Sequence, residues 1–348
     1  PSILNPYLSG GTKDIEAASL VIEPLARYNE VGEMVPYLAT EIPTVGNGGV
    51  SEDLTSITWT ISPDMLWSDG SAVTSADVKF TAEYCMDPEG GCAQAAFFDG
   101  VKNVEAIDSL TVKVTFDGPK PNPYGPFVGG QSPIIQAAQF ADCLGAKAPE
   151  CTEANFNPIG TGPFVVDDFR PNDVIQYSAN QNYRDPAKPA FAKVTFKGGG
   201  DAAAAGRSVL ETGEFDYAWN LQLAPDVIAK MEEAGKGKAI AGFGPLIERI
   251  EMNMTNPSPD LPPETRATVA EPHPFLTDIR VRKALSLAID RPLLVEVGYG
   301  KAGKVSCDLV PSPAMFASGD MHCATQDLEG AKALLDEDSD GFSLVMSN

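Results

Sequence analysis

The amino-acid sequence predicts an α/β or α+β chain with at least two lobes, and three observations carry that prediction. Segments with an apolar residue at every second position are interleaved with segments whose apolar residues recur at helical spacing, without a strict strand–helix–strand rhythm. A length of 348 residues exceeds one typical domain. The texture changes at Asn157, where PIGTGPF opens a second strand-bearing region. Hydrophobic residues make up 43 % and charged residues 21 %, enough apolar material for a packed core.

Taken in order, the elements follow from local chemistry. The turn SGGTKD precedes an apolar, helix-like run from Ile15 to Leu25. In SITWTIS, Ile57, Trp59 and Ile61 alternate with Thr58 and Thr60, the period of a half-buried strand. Thr74 to Asp77 has the form of a capping box, in which a Thr and an acid three residues on satisfy each other's orphan N–H groups, and DVKFTAEY continues as a helix. LTVKVTF is a second alternating strand, ended by Gly118-Pro119. After Asn157, VIQYSAN and AKVTFK form a strand pair. Asp201 caps a helix over Ala202–Glu211 that Gly213 stops, and EFDYAWN is a short strand. Pro225 suits the first turn of a helix, where its missing N–H costs nothing. The proline-rich stretch Pro257–Pro274 reads as a surface connection, and Asp278 opens a helix with a stripe of Val281, Leu285, Ala288 and Ile289.

Composition removes several function classes. Lys and Arg total 25 against 48 Asp and Glu, a formal net charge of −23, and such a field repels phosphate backbones and anionic membranes. A nucleic-acid partner is therefore not expected. No apolar run approaches the ~20 residues that span a bilayer. The chain starts at Pro1 without Met and without a leader-like opening, so it is read as a mature, trimmed or partly observed chain. Its six cysteines fall in sequence-local pairs, Cys85/Cys92, Cys143/Cys151 and Cys307/Cys323, each in Gly/Pro/Asp-rich loop sequence. Near-neighbour disulfides in such loops are the simplest of the possible pairings, with free thiols or a metal as the alternatives, and no C-x2-C spacing supports the metal. Disulfides place the chain in an oxidising compartment.

Motifs for chemistry are weak. GYGKAG at Gly298–Gly303 formally fits G-x-G-x-x-G, but a helix precedes it where a strand is required, and it reads as a Gly-rich turn. Asp336, Asp338, Asp340 and Gly341 copy half an EF-hand loop, with Ser347 where the bidentate Glu belongs. His273 and His322 both lie in loop sequence, and His322 beside Cys323 reads as an exposed loop residue rather than a metal ligand. Asn253-Met254-Thr255 is a glycosylation sequon that a bacterial source would leave unread. No catalytic constellation emerges, and no cofactor or metal is expected. Trp219 beside Asn220 has two readings, a core tryptophan or the wall of a small-molecule cleft with an amide to orient the ligand.

Four ordered blocks carry a family resemblance: ITWTISPDMLWSDGSAVTSADVKFTAEY, NPIGTGPFVVDDFRPNDVIQYSANQNYRD, VLETGEFDYAWNL and HPFLTDIRVRKALSLAIDRPLLVEVGYGKAG. Together they resemble the extracellular solute-binding proteins of family 5, the peptide, opine and nickel receptors of ABC importers. The resemblance implies a two-lobed α/β fold of the type II periplasmic-binding-protein kind with an inserted subdomain. Residues 1–27 and 155–242 would form the first lobe, 28–154 the insertion and 243–348 an incomplete second lobe. It also implies a longer chain, with residues omitted between Glu337 and Asp338 and a return to the first lobe after Asn348. Ligand contacts by analogy are Trp219 and Asn220, the turn Ser9, Gly10, Gly11 and Thr12, and the crossover Phe243, Gly244 and Pro245.

The expected function is capture of a small polar solute, an oligopeptide or opine-like compound, and its delivery to membrane permease subunits by a periplasmic, or lipid-anchored extracellular, monomer. Rival readings are a non-peptide ligand such as a sugar-phosphate opine, a glycan or chelated nickel; a secreted hydrolase; and a peptide chaperone or sensor.

Overall fold

The computed structural model describes residues 1–198, 200–244, 246–312 and 317–335, so the EF-hand-like loop at Asp336–Gly341, the Glu337/Asp338 junction and Pro245 lie outside the described residues. The chain divides into two compact units, Pro1–Gly199 and Gly200–Asn348.

Unit 1 is built from α1 (Thr12–Ala18), β1 (Ala26–Tyr28), β2 (Met34–Pro36), β3 (Ser56–Thr60), α2 (Ser75–Met86), β4 (Val101–Ala106) and β5 (Thr111–Phe116). The short helices α3 (Ala137–Phe140) and α4 (Thr152–Phe156) follow, and then β6 (Phe164–Arg170), β7 (Val174–Ala179) and β8 (Lys193–Lys197). The strands form three antiparallel sheets: the pair β1–β2, a sheet of order β3-β5-β4 and a sheet of order β6-β7-β8. The period-two reading holds in β3 and β5, where Ile57, Trp59, Val112, Val114 and Phe116 are buried. They belong to a large core with Trp67, Tyr84, Phe98, Phe127 and Phe140. A smaller core packs Leu4, Ala17, Ala18, Val21 and Ile22 against Phe164, Ile175 and Tyr177.

The capping box forms and does double duty. The Thr74 N–H and hydroxyl both donate to Asp77 Oδ2, at 2.8 and 3.1 Å, while Asp77 Oδ1 accepts the N–H of Ala137 at the start of α3 (3.0 Å). The helix expected over Ile15–Leu25 ends at Ala18 instead. The carbonyls of Leu20 and Val21 accept from Phe164 and Gly162 (3.1 and 2.7 Å), a tertiary pairing that helix would forbid. Strands β1, β2, β4 and β6 carry no clean apolar period, because their outer faces hold charged or exposed residues.

Unit 2 contains α5 (Ala202–Leu210), α6 (Pro225–Glu232), α7 (Ile279–Ala288), α8 (Arg291–Gly298) and α9 (Leu328–Leu334). The aspartates that precede four of them act as caps: Asp201, Asp278, Asp290 and Asp327 accept N–H groups of Ala204, Arg280, Leu293 and Gly330 at 2.7 to 3.0 Å. No strand occurs among its described residues, and the strand expected at EFDYAWN is absent. A strand requires a ladder partner, and Asn220 takes a left-handed φ of +54° that breaks extended backbone. On the stripe expected for α7, Val281, Leu285 and Ile289 are half-buried and Ala288 is exposed, while the buried residue of the helix is Ala284.

The three local disulfides, Cys85–Cys92, Cys143–Cys151 and Cys307–Cys323, are formed. No helix among the described residues is long and apolar enough to cross a membrane.

Candidate functional site

The N-terminal turn is a rigid bracket. Asn5 caps a short 3-10 turn, Pro6–Leu8, by accepting the Tyr7 N–H at 3.0 Å. The buried Gln94 amide donates to the carbonyls of Pro6 and Ser9, both at 3.1 Å, and fixes where the chain leaves that turn. The Ser9 hydroxyl donates to Asp14 Oδ2 at 2.7 Å and accepts the Gly11 N–H at 3.1 Å. Ser2 adds its N–H (2.7 Å) and hydroxyl (3.1 Å) to the same carboxylate. Burial alone would raise the Asp14 carboxyl, but these bonds to its charged form outweigh burial and hold it below its ordinary value. A side chain at Gly11 would press on Asp14 and Ser9 (3.2 and 3.3 Å), whereas one at Gly10 would meet nothing within 4 Å. Gly10 and Thr12 are exposed, while the backbone N–H and C=O groups of Ser9 and Gly11 are engaged within the turn and by Gln94.

In unit 2 the segment carrying Trp219 is anchored from below. Gly213, at φ +67°, turns the chain off α5, and the N–H groups of Glu214 and Phe215 return to the Ser208 carbonyl (2.8 and 3.2 Å). Leu221, Leu223 and Met231 crowd Gly206 of α5, where an added Cβ would meet Leu223 and Met231 at 3.1 Å. With those residues held inward, Trp219 is 44 % exposed and Tyr217 stands well out. Trp219 is thus no buried core tryptophan. Phe243 is also exposed, and a side chain at Gly244 would meet nothing within 4 Å. No ring contact joins Trp219 to Phe243 among the described residues.

A buried charge cluster that the sequence did not disclose braces unit 1. Glu23, 1 % exposed, receives both guanidinium arms of Arg184 (2.5 and 3.1 Å) and the Thr161 hydroxyl (3.1 Å). Arg184 and Arg27 both lie on the Tyr37 ring, 5.0 and 4.6 Å from its centroid. Burial works against the Arg184 charge, and the Glu23 hydrogen bonds overcome it, so its pKa is raised. Glu23 and Arg184 lie 161 residues apart, and no local pattern could join them.

The remaining motifs are structural. Gly300, at φ +53°, packs against Pro225, where a Cβ would come within 2.8 Å, and GYGKAG is the turn that follows α8. His273 Nδ1 accepts the Leu276 N–H (3.1 Å), and exposed His322 pairs with Asp320 (3.0 Å). Among the described residues no cluster of three or more His, Cys, Asp or Glu could hold a metal.

Comparison with known proteins then places the chain. A family model described as "Bacterial extracellular solute-binding proteins, family 5 Middle" matches residues 33–339. The glutathione-binding protein GsiB of Escherichia coli K12 is 26 % identical over 271 residues, 77 % of this chain and 47 % of that protein. GsiB of Shigella boydii serotype 4 is 25 % identical over 269 residues, with the same coverage. The chain thus spans about half the length of the curated relatives it matches. Among solved structures, the ABC transporter substrate-binding protein CtaP of Listeria monocytogenes superposes with a TM-score of 0.74 at 24 % identity, over 96 % of this chain and 62 % of that one. The Escherichia coli murein tripeptide-binding protein MppA gives 0.65 at 24 %, over 96 % and 64 %. These likenesses show the two-lobed α/β fold of type II periplasmic binding proteins. The chain belongs to the bacterial extracellular solute-binding proteins, family 5.

Proposed function

We propose that the protein is the receptor of an ABC importer: it captures a small polar solute, an oligopeptide or opine-like compound, and hands it to membrane permease subunits. The family match over residues 33–339 carries this reading. Its relatives include a glutathione-binding protein, a murein tripeptide-binding protein and a protein solved with agropinic acid, ligands that are small and rich in carboxylates or amides. Residues 1–27 with 155–242 form one lobe, 28–154 the insertion and 243–348 part of the other. The smaller core supports the first assignment, since it packs Leu4, Ala17 and Ile22 against Phe164 and Ile175.

Ligand bridging two lobes favours the closed state by its differential affinity, and no bond is made or broken. The bracket at Ser9–Thr12 offers the exposed Gly10 and Thr12; Trp219 and Phe243 offer aromatic faces, and Asn220 and Gly244 complete the contact set. The molecule works as an exported monomer, periplasmic or lipid-anchored. The test is a thermal-shift screen of short peptides, glutathione and opines on the full-length protein, with mass spectrometry of the recovered ligand. A true ligand at 100-fold over its Kd adds about 2.7 kcal/mol of stability and returns intact. Turnover that depends on a specific Ser, Asp or Glu would instead make the protein a hydrolase.

A further inference from the structure

The disulfide Cys307–Cys323 differs from the other two in burial, in the inequivalence of its sulfurs and in what it holds. Cys85 and Cys143 are 2 % and 4 % exposed and lie in the large core of unit 1, and their half-buried partners Cys92 and Cys151 pack against that core. Cys307 and Cys323 are both half-exposed, belong to neither core, and are flanked by exposed Leu309, Met321 and His322. An attacking thiolate reaches an exposed sulfur and is excluded from a packed one. The two sulfurs of this half-exposed bridge are also not equivalent. The Cys323 N–H donates to Cys307 Sγ at 3.1 Å, and a donor there favours negative charge on Cys307.

The segment just beyond Cys323 caps α7. The Cys323 carbonyl accepts Arg291 Nη1 at 3.0 Å, and the same guanidinium bonds the carbonyl and hydroxyl of Ser286, each at 2.9 Å. The Gln326 amide and the Asp327 N–H bond the carbonyls of Ala288 and Leu287, both at 2.9 Å. Of the last α7 carbonyls, which have no partner within the helix, those of Leu287 and Ala288 are thus satisfied by chain that follows the disulfide, and that of Ser286 by Arg291. The same loop is also tied at the Asp308 carboxylate, which accepts N–H groups of Ser318 and Gly319 at 3.1 and 3.2 Å.

We propose that Cys307–Cys323 is a redox-labile strap, opened by an external dithiol while the other two disulfides stay closed, and that opening it uncaps α7. One thiolate of the dithiol attacks Cys323 Sγ, the S–S bond breaks, and the electron pair passes to Cys307 Sγ, which takes a proton. The second thiolate of the dithiol then displaces Cys323 from the mixed disulfide, and Cys323 takes the other proton. The dithiol is oxidised to its disulfide by two electrons and supplies both protons. Redox poise thereby sets the order of part of unit 2 without touching the core of unit 1. This inference does not rest on the ligand reading.

The test exposes the oxidised protein to graded dithiothreitol, quenches with an alkylating reagent and maps the labelled peptides. Cys307 and Cys323 should be labelled at least about tenfold faster than the other four cysteines. A monothiol, which has no second thiolate to release itself, should be trapped as a mixed disulfide at Cys323, leaving Cys307 as the alkylated free thiol. Amide exchange should then rise at residues 286–288 and 323–327 and stay unchanged in unit 1. Equal labelling of Cys85 or Cys143, trapping at Cys307, or selective reduction with no rise in exchange would overturn the proposal. A double variant, Cys307→Ser with Cys323→Ser, should show the raised exchange with no reductant. Should it fail to fold, the exchange measured on the reduced wild-type protein decides.

Discussion

Gly160 and Gly162 show how one absent methyl group settles a tertiary contact. An added Cβ would lie 1.8 Å from the Val21 carbonyl oxygen at Gly160 and 2.6 Å from that of Leu20 at Gly162, so the two segments pair only because both residues are glycine. Gly160→Ala should cost at least the ~1–3 kcal/mol typical of overpacking, while Gly10→Ala should stay within ~0.5 kcal/mol; denaturant midpoints compare them. Charge at this scale is decided by burial. Glu23→Gln leaves the Arg184 guanidinium without its counter-ion and should cost roughly 3–5 kcal/mol, whereas the exposed pair Lys79–Glu83 should be worth under about 1 kcal/mol. Two of the shifted groups show how pH acts. Asp14 is held below its ordinary value, so its contribution is complete above the unfolded carboxylate pKa and is lost as pH falls through the folded one; Asp14→Asn should flatten the acid limb of the stability profile. Burial pushes the Tyr84 phenol up to about 12, with the Asn5 hydrogen bond opposing. Its contribution is therefore complete below pH 10 and is lost as pH rises toward 12, a window that tyrosinate absorbance reads. At Trp219, replacement by Ala should weaken ligand binding by roughly 1–3 kcal/mol and cost less folding stability than the ~3–5 kcal/mol of a core tryptophan, since the ring is 44 % exposed.

Elements were legible where their signal is local. The Asp caps at 201 and 278, Pro225 at a helix start, Gly213 at a helix end and the alternation in β3 and β5 each depend on residues a few positions apart, and each forms. The strand expected at EFDYAWN and the helix expected through Leu25 depended on partners that a local pattern does not contain. The cap at Asp77 has one local half and one distant half, the Ala137 N–H. Asp77→Ala should therefore cost about twice the ~1 kcal/mol of Asp278→Ala, a difference that thermal melts of the two variants can resolve.

Over the whole molecule, apolar burial is uneven. Both core clusters lie in unit 1, while the buried apolar side chains described in unit 2 are Leu210, Met231, Leu276, Ala284 and Ala331. Since burial is the main driving force, unit 2 should melt first and separately, and calorimetry should resolve two transitions. Family membership was readable from four ordered sequence blocks, and the family match agrees with it. Class, caps and turns, cysteine pairs and family are legible in the chain alone, because each rests on short-range chemistry or on ordered motifs. Only tertiary structure decided that Glu23 meets Arg184 across 161 positions, that Asp14 gathers Ser2 and Ser9, and that Trp219 faces outward. Those outcomes depend on which distant backbones approach, and the free energy that selects among such approaches belongs to the packed molecule and not to any window of its sequence.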